Sequence, residues 1–318
     1  MTVAISPPAA QTAPLAGSRS GRRPGSRWKR ALGQDPMGLL LSAPYAIFIA
    51  AVFVYPLGLG VWIAFHEYSF AAPGAQVDRP FVGLDNFTRA LTDPVVLASF
   101  RHVAVFLVIN VPLTVFGAML LATALNRAVR GMTFFRVAYY VPYITASVAT
   151  VTVWLFMFGE QGVVNAALGD LAPSPSWLVS SVWAMPMIAL YVTWKQLGFF
   201  ILLYLASLQN IPRELYESAR TDGAGWWHSF RAVTLPGVRP ATALVATLAI
   251  ITGANLFTEP YLLTNGGGPN QASTTPVLLI YQQAIQQNNP GRAAAIGIIL
   301  VVGVLLLAWV TRRITERD

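Results

Sequence analysis

Among the long runs without Asp, Glu, Lys or Arg, five read as membrane spans: Pro36 to His66, His102 to Asn126, Val137 to Gly159, Pro240 to Thr258 and Ala293 to Thr311. A sixth run, roughly Val182 to Leu208, carries a single charge, Lys195. A helix needs about 20 apolar residues to cross a hydrocarbon core about 30 Å thick, and there every backbone group must find its partner within the protein. Such runs predict an all-α integral membrane protein with six transmembrane helices, at about 39–64, 103–125, 137–158, 182–208, 241–261 and 293–311. Only 11% of the 318 residues are charged, against about 25% in soluble domains. Pro44, Pro56, Pro112, Pro142 and Pro186 within the runs are no objection, because proline is more frequent in membrane helices than in soluble ones. The absence of Cys removes disulfides, thiol nucleophiles and Cys-based metal sites.

An even number of spans puts both termini on one side. That side carries 16 of the 21 Lys and Arg residues: Arg19, Arg22, Arg23, Arg27, Lys29 and Arg30, then Arg127, Arg130 and Arg136, then Arg213, Arg220, Arg231 and Arg239, and finally Arg312, Arg313 and Arg317. The positive-inside bias predicts that this side is cytoplasmic. Residues 1–36, rich in Pro, Ala, Ser, Gly and Arg, read as a disordered basic cytoplasmic tail, and 314–318 as a second, short one. The net charge of +8 sits in loops beside apolar runs, which points to the lipid bilayer and away from nucleic acid.

The loop 209–239 departs from what a simple connection needs. It carries Arg213, Glu214, Glu217, Arg220, Asp222, Arg231 and Arg239 within about thirty residues. Pro212 before Arg213 and Glu214 reads as a helix start, and Asp222-Gly223-Ala224-Gly225 as a turn. Trp226 to Thr234 can form a second short helix, ended by Leu235-Pro236-Gly237. The pattern predicts a charged helix-turn-helix on the cytoplasmic face, a docking surface for another protein.

Glu217-Ser218-Ala219, three residues, Gly223, nine residues, then Val233-x-Leu235-Pro236 resembles the EAA loop of permease subunits of binding-protein-dependent ABC importers. Ser218 replaces the middle Ala of that pattern and Val233 its Ile. Phe81-Val82-Gly83-Leu84-Asp85-Asn86-Phe87, Gly198-Phe199 with Leu208-Gln209-Asn210-Ile211-Pro212, and Leu263-Thr264-Asn265-Gly266-Gly267-Gly268-Pro269 resemble the carbohydrate-uptake (maltose/glycerol-phosphate-type) branch. The resemblance covers roughly Gly38 to Arg313, and the long tail with Gly83-Leu84-Asp85-Asn86 resembles the first of two paired permeases.

The resemblance implies a type I ABC importer fold in a bacterial cell membrane. It also implies four kinds of neighbour: a second homologous permease, two cytoplasmic ATP-binding subunits, an extracytoplasmic solute-binding protein and the bilayer. The coupling loop 209–239 would insert Glu217, Ser218, Ala219, Asp222, Gly223, Ala224, Leu235 and Pro236 at the ATPase, with Glu217 facing a basic residue. The plain alternative for Glu217 is an intrahelical pair with Arg213 or Arg220, worth about 0.2–0.5 kcal/mol. There is no G-x-x-x-x-G-K-[ST] loop, so no cofactor is expected on this chain, and ATP and Mg belong to the partner. No catalytic set or metal cluster stands out, which predicts a transport subunit and not an enzyme.

An ionisable group in a span is a functional candidate by default. Lys195, with Trp194, Gln196 and Gly198, and Glu259, with Thr252 and Asn255, mark a solute path. Aromatic faces with amides and a carboxylate suit a sugar, whether mono-, di- or oligosaccharide, or another polar solute such as glycerol phosphate. Against this stand plainer roles: snorkelling for Lys195, a solvated helix end for Glu259, and interhelical hydrogen bonds for Thr252 and Asn255. A gradient-driven transporter or a membrane enzyme would leave the 209–239 loop unexplained.

Overall fold

The computed structural model describes residues 36–72, 74, 77–126 and 131–315. The N-terminal tail through residue 35, Arg127, Arg130 and residues 316–318 lie outside the described residues. The chain divides into two compact units after Leu57. The first holds α1 (Pro36–Ile49), a π turn (Ala50–Val54) and the first residues of α2 (Tyr55–Ala64). The amide of Tyr55 donates to Ala50 O, five residues back. Pro56 follows at once, and its missing N–H together with the bulk of its ring favours a widened turn there. The helical run Leu41–Ala64, 24 residues, is long and apolar enough to cross a membrane.

The second unit is all helix among its described residues, apart from one isolated bridge, His66 to Phe81. In chain order it holds α3 (Asp85–Thr92), α4 (Pro94–Leu125), α5 (Met132–Ile144), α6 (Ser147–Phe158), α7 (Val163–Leu168), α8 (Ala184–Gln209), α9 (Arg213–Thr221), α10 (Trp226–Gly237), α11 (Arg239–Ala254), α12 (Thr258–Leu263), α13 (Pro276–Tyr281) and α14 (Pro290–Thr315). Its centre is the pair α4 and α8, with α11 beside α4, α14 packed on α11 and α3, and α5 against α8. One core gathers Ala118, Ala122, Phe200, Tyr204, Val245 and Ala249. A second gathers Phe106, Trp154, Ile188, Tyr191, Leu256 and Leu263. Small residues make the close approach, as expected where lipid tails offer no hydrophobic gain between helices. Asn110 Nδ2 donates to Thr193 Oγ1 at 2.8 Å, a buried polar link from α4 to α8.

Four elements depart from the sequence expectations. The run 137–158 is two helices: Thr145 is extended (φ −74°, ψ 140°) and separates α5 from α6. Pro142, in the last turn of α5, cannot donate, and the Thr145 amide and hydroxyl close that turn by bonding Val141 O at 3.1 and 2.7 Å. The run 241–261 is also broken. The helix α11 stops at Ala254, and Glu259 belongs to the separate α12. With 16 residues α11 spans about 24 Å, less than a hydrocarbon core, and it reaches spanning length only together with α10, from which it is bent by 65°. The second helix of the 209–239 loop does not stop at Thr234 but runs on through Leu235 and Pro236 to Gly237. A π turn (Phe230–Thr234) immediately before Leu235-Pro236 admits the proline, the same device as before Pro56. Finally, α4 starts at Pro94, well before 103, because Asp93 caps it by accepting from Val95 N at 2.6 Å.

Candidate functional site: a hairpin and a polar cluster

The hairpin is built from backbone chemistry upward. Helix α9 follows the extended Pro212 and carries Glu214 in its first turn, where a carboxylate suits the helix dipole. It ends in a Schellman closure: Ala224 N bonds Ala219 O at 2.8 Å and Gly223 N bonds Arg220 O at 3.0 Å. That closure needs a left-handed residue, and Gly223 supplies it at φ +78°. A Cβ at Gly223 would meet nothing within 4 Å, so the demand for glycine is conformational here. Gly225, extended at φ −68° and ψ 173°, then starts α10.

Two side-chain links fix the hairpin. Tyr216 Oη lies 3.0 Å from Thr234 Oγ1, joining α9 to α10. At the base, Gly237 packs against the Ile211 side chain, and a Cβ there, 2.5 Å from Ile211 Cδ1, would make that side chain shift. Trp226 and Trp227 are exposed and stack on the buried Phe230. Leu235 and Pro236 lie exposed on the surface, as do Ser218 and Asp222, while Ala219 and Ala224 are half-buried. A cleft of about 360 Å³ opens at the tip between Ala219, Gly223, His228 and Ala232. Glu217 is exposed, and among the described residues its carboxylate pairs with neither Arg213 nor Arg220. The carboxylate therefore projects from the hairpin with no counter-charge drawn from its own helix, and the acidic residue that lines the tip cleft is Asp222.

The path residues gather where α6, α8 and α12 meet. Lys195 Nζ donates to Ser147 Oγ at the first turn of α6. Tyr191 Oη lies 2.7 Å from Thr150 Oγ1. Tyr191 and Lys195 are one turn apart on α8, and Ser147 and Thr150 are three apart on α6, so two polar pairs stack along one helix seam. Trp154 stacks on Phe158 at 4.7 Å and faces Tyr191 and Trp194 at 5.4 and 5.8 Å. Glu259 enters from α12, half-buried, within Coulomb range of Lys195 and Tyr191. No ion pair joins it to Lys195, their charged atoms lying beyond 4.0 Å.

The remaining path residues are placed differently. Gly198 is buried, and a Cβ there would lie 2.1 Å from Tyr139 O, so this glycine lets the α5 backbone touch α8. Thr252 and Asn255 are exposed and bond to their own helix, Thr252 Oγ1 to Leu248 O and Asn255 Nδ2 to Ile251 O, both at 2.7 Å. The interhelical bonds that were the plain reading of this pair are absent among the described residues. Gln196 is half-buried beside Lys195. Sequence reasoning missed Ser147, Thr150 and Tyr191. The one signal for Tyr191 was its place one helical turn before Lys195, and nothing local marked the other two.

A helical membrane bundle with a charged two-helix hairpin at one end is the architecture of an importer's membrane subunit. The chain belongs to the binding-protein-dependent transport system inner membrane component family, whose profile matches residues 110–317. It is 32% identical over 284 residues to the arabinooligosaccharides transport system permease protein AraP of Bacillus subtilis (strain 168), covering 87% of each chain. It is 31% identical over 298 residues to the sulfoquinovosyl glycerol transport system permease protein SmoG of Agrobacterium fabrum, covering 92% of this chain and 95% of that one. Among solved structures, a chain of a bacterial alginate ABC transporter in complex with an alginate pentasaccharide-bound periplasmic protein superimposes with a TM-score of 0.74. That match has 21% identity and covers 92% of this chain and 99% of that one. The fold is therefore that of the type I ABC importer permeases.

Proposed function

We propose that this chain is one of two paired permease subunits of an ATP-driven importer that receives a sugar from an extracytoplasmic binding protein. In this reading the hairpin lies in the cytoplasm, where the positive-inside bias puts it, and inserts α9 and α10 into a separate ATPase. Glu217 meets a basic group of that ATPase, while Gly223, Ala224 and Asp222 shape the inserted tip. ATP and its metal bind on the partner. The solute passes beside Trp194, Lys195, Gln196, Asn255 and Glu259.

One observation carries the reading: a Schellman-closed turn at Gly223 holds an open cleft at the tip of a two-helix hairpin whose Glu217 is exposed and unpaired with its own helix. Family membership and the sugar-transport names of the relatives support the importer and the solute class. The test is uptake into vesicles reconstituted with this chain, its paired permease, the ATPase and the binding protein. Uptake is expected to require ATP, the ATPase and the binding protein together. Accumulation by this chain alone on a sodium or proton gradient would refute the reading.

A further inference from the structure

Between α12 and α13, every residue from Asn265 to Gln271 except Pro269 has a positive φ. The three glycines of that stretch take the conformation freely, whereas Asn270 at φ 50° and Gln271 at φ 60° hold it against crowding by their own Cβ. The loop is pinned in this shape. Gly268 N bonds Thr264 O and Ser273 N bonds Gly267 O, each at 2.8 Å. Thr264 Oγ1 and Ser273 Oγ, both buried, lie 2.7 Å apart beneath it. The fold makes no use of the two strained side chains. Both are exposed, and neither side-chain amide forms a hydrogen bond among the described residues. Strain kept at a side chain that the fold does not need points to a ligand.

Asn270 and Gln271 line a cavity of about 410 Å³ together with Arg101 and His102 of α4 and Ser181 ahead of α8. That volume lies in the range of small-molecule sites, about 300–1,000 Å³. Arg101 is exposed, and its guanidinium pairs with no carboxylate among the described residues. His102 is tied down: Nδ1 donates to Thr274 O at 2.9 Å, which in the neutral ring leaves Nε2 as an acceptor. Helix α4 begins at this cavity and runs 32 residues, about 48 Å, to the hairpin end of the molecule. There its Thr123 shares a different cavity with Tyr216 and Trp226 of the hairpin.

We propose that this cavity is an entry subsite, which takes one hydroxyl-bearing sugar unit before the solute moves into the membrane. This rests on the importer reading and deepens it, because that reading puts the end opposite the hairpin outside the cell. A sugar unit presents neighbouring hydroxyls, each both donor and acceptor. The two amides meet them in either sense, His102 accepts, and the Arg101 fork donates to two oxygens at once. No carboxylate lines the cavity, which disfavours a cation. The pinned backbone holds the amides in place in advance, so little ordering is left for the sugar to bring about.

The test uses the purified complex of this chain with its paired permease and the ATPase. Equilibrium dialysis with radiolabelled arabinotriose and with lactose, in the absence of binding protein, reads the cavity. Q271A, Q271G and R101Q are each expected to weaken probe binding about fivefold. The thermal midpoint separates side chain from backbone. Q271G is expected to raise it by about 2 °C because glycine removes the strain, whereas Q271A keeps the strain and brings no rise. A more stable variant that holds sugar less well is a pairing that a purely structural role does not produce. Affinity of the complex for the binding protein is expected to stay within about twofold in all three variants. The proposal is overturned if the unaltered complex binds neither probe, if the variants bind sugar as well as it does, or if Q271G lowers the midpoint. Weakened binding-protein affinity with sugar binding intact would also overturn it, by making the cavity a protein contact. Failure of the importer reading looks different: the unaltered complex would then show no ATP-driven uptake, and dialysis would still decide the cavity.

Discussion

At the scale of single residues, two glycines answer different demands. Gly223 is needed for its backbone, since its site is spacious but its φ is +78°. A β-branched residue there strains the turn by about 1–2 kcal/mol and unmakes the Schellman bonds. Gly223→Val is expected to insert and stay helical while transport falls about tenfold or more, read as uptake per assembled complex. Gly198 is needed for its missing side chain, because the Tyr139 carbonyl occupies the place of a Cβ. Gly198→Ala is expected to lower stability by about 3 kcal/mol through overpacking, measured as a drop in the thermal midpoint in detergent. A loss of uptake with no loss of stability would return Gly198 to the solute path. The polar path residues behave otherwise: Gln196→Ala and Asn255→Ala are expected to cut sugar uptake several-fold with ATP hydrolysis still measurable. Equal loss of both activities would mark them as packing residues.

At the scale of elements, the sequence patterns located helices better than they located breaks. The charge-free runs found the long helices because bilayer thickness sets their length. They merged α5 with α6 and α11 with α12, because Thr145-Ala146 and Asn255 to Phe257 are as uncharged as the helices they separate. The Schellman turn was legible from Asp222-Gly223, whereas the two-turn seam of Ser147, Thr150, Tyr191 and Lys195 depends on which helices meet, information that no local pattern holds. The short α13 was legible in principle, with Thr275 capping Leu278 N and Pro276 in the first turn. One tie between elements has a clear energetic signature. Asp93 caps α4 and also pairs with Arg292 at the start of α14, both side chains being about one-fifth exposed. Asp93→Asn keeps an acceptor for the cap but loses the pair, and is expected to cost about 1–3 kcal/mol. In a cycle with Arg292→Met, the double variant should lose less than the sum of the singles.

At the scale of the whole molecule, membership in the family makes this chain one part of a larger machine. The hairpin crowns one end of α8 and α11, whereas the polar cluster lies where α6, α8 and α12 come together. Between the two stands Val238, fully buried, at the corner where α10 turns 65° into α11. Its amide still bonds Thr234 O at 3.0 Å and its carbonyl still receives Thr242 N at 2.8 Å, so the corner is bent but not slack. A rigid corner of this kind is a bell crank: a push along one arm becomes a swing of the other about a fixed pin. Softening the pin should waste the stroke. Val238→Gly, by adding backbone freedom and removing the buried side chain, is expected to leave the ATPase bound and turning over while uptake per ATP drops several-fold. An unchanged ratio of sugar to ATP would mean that the stroke travels by another route.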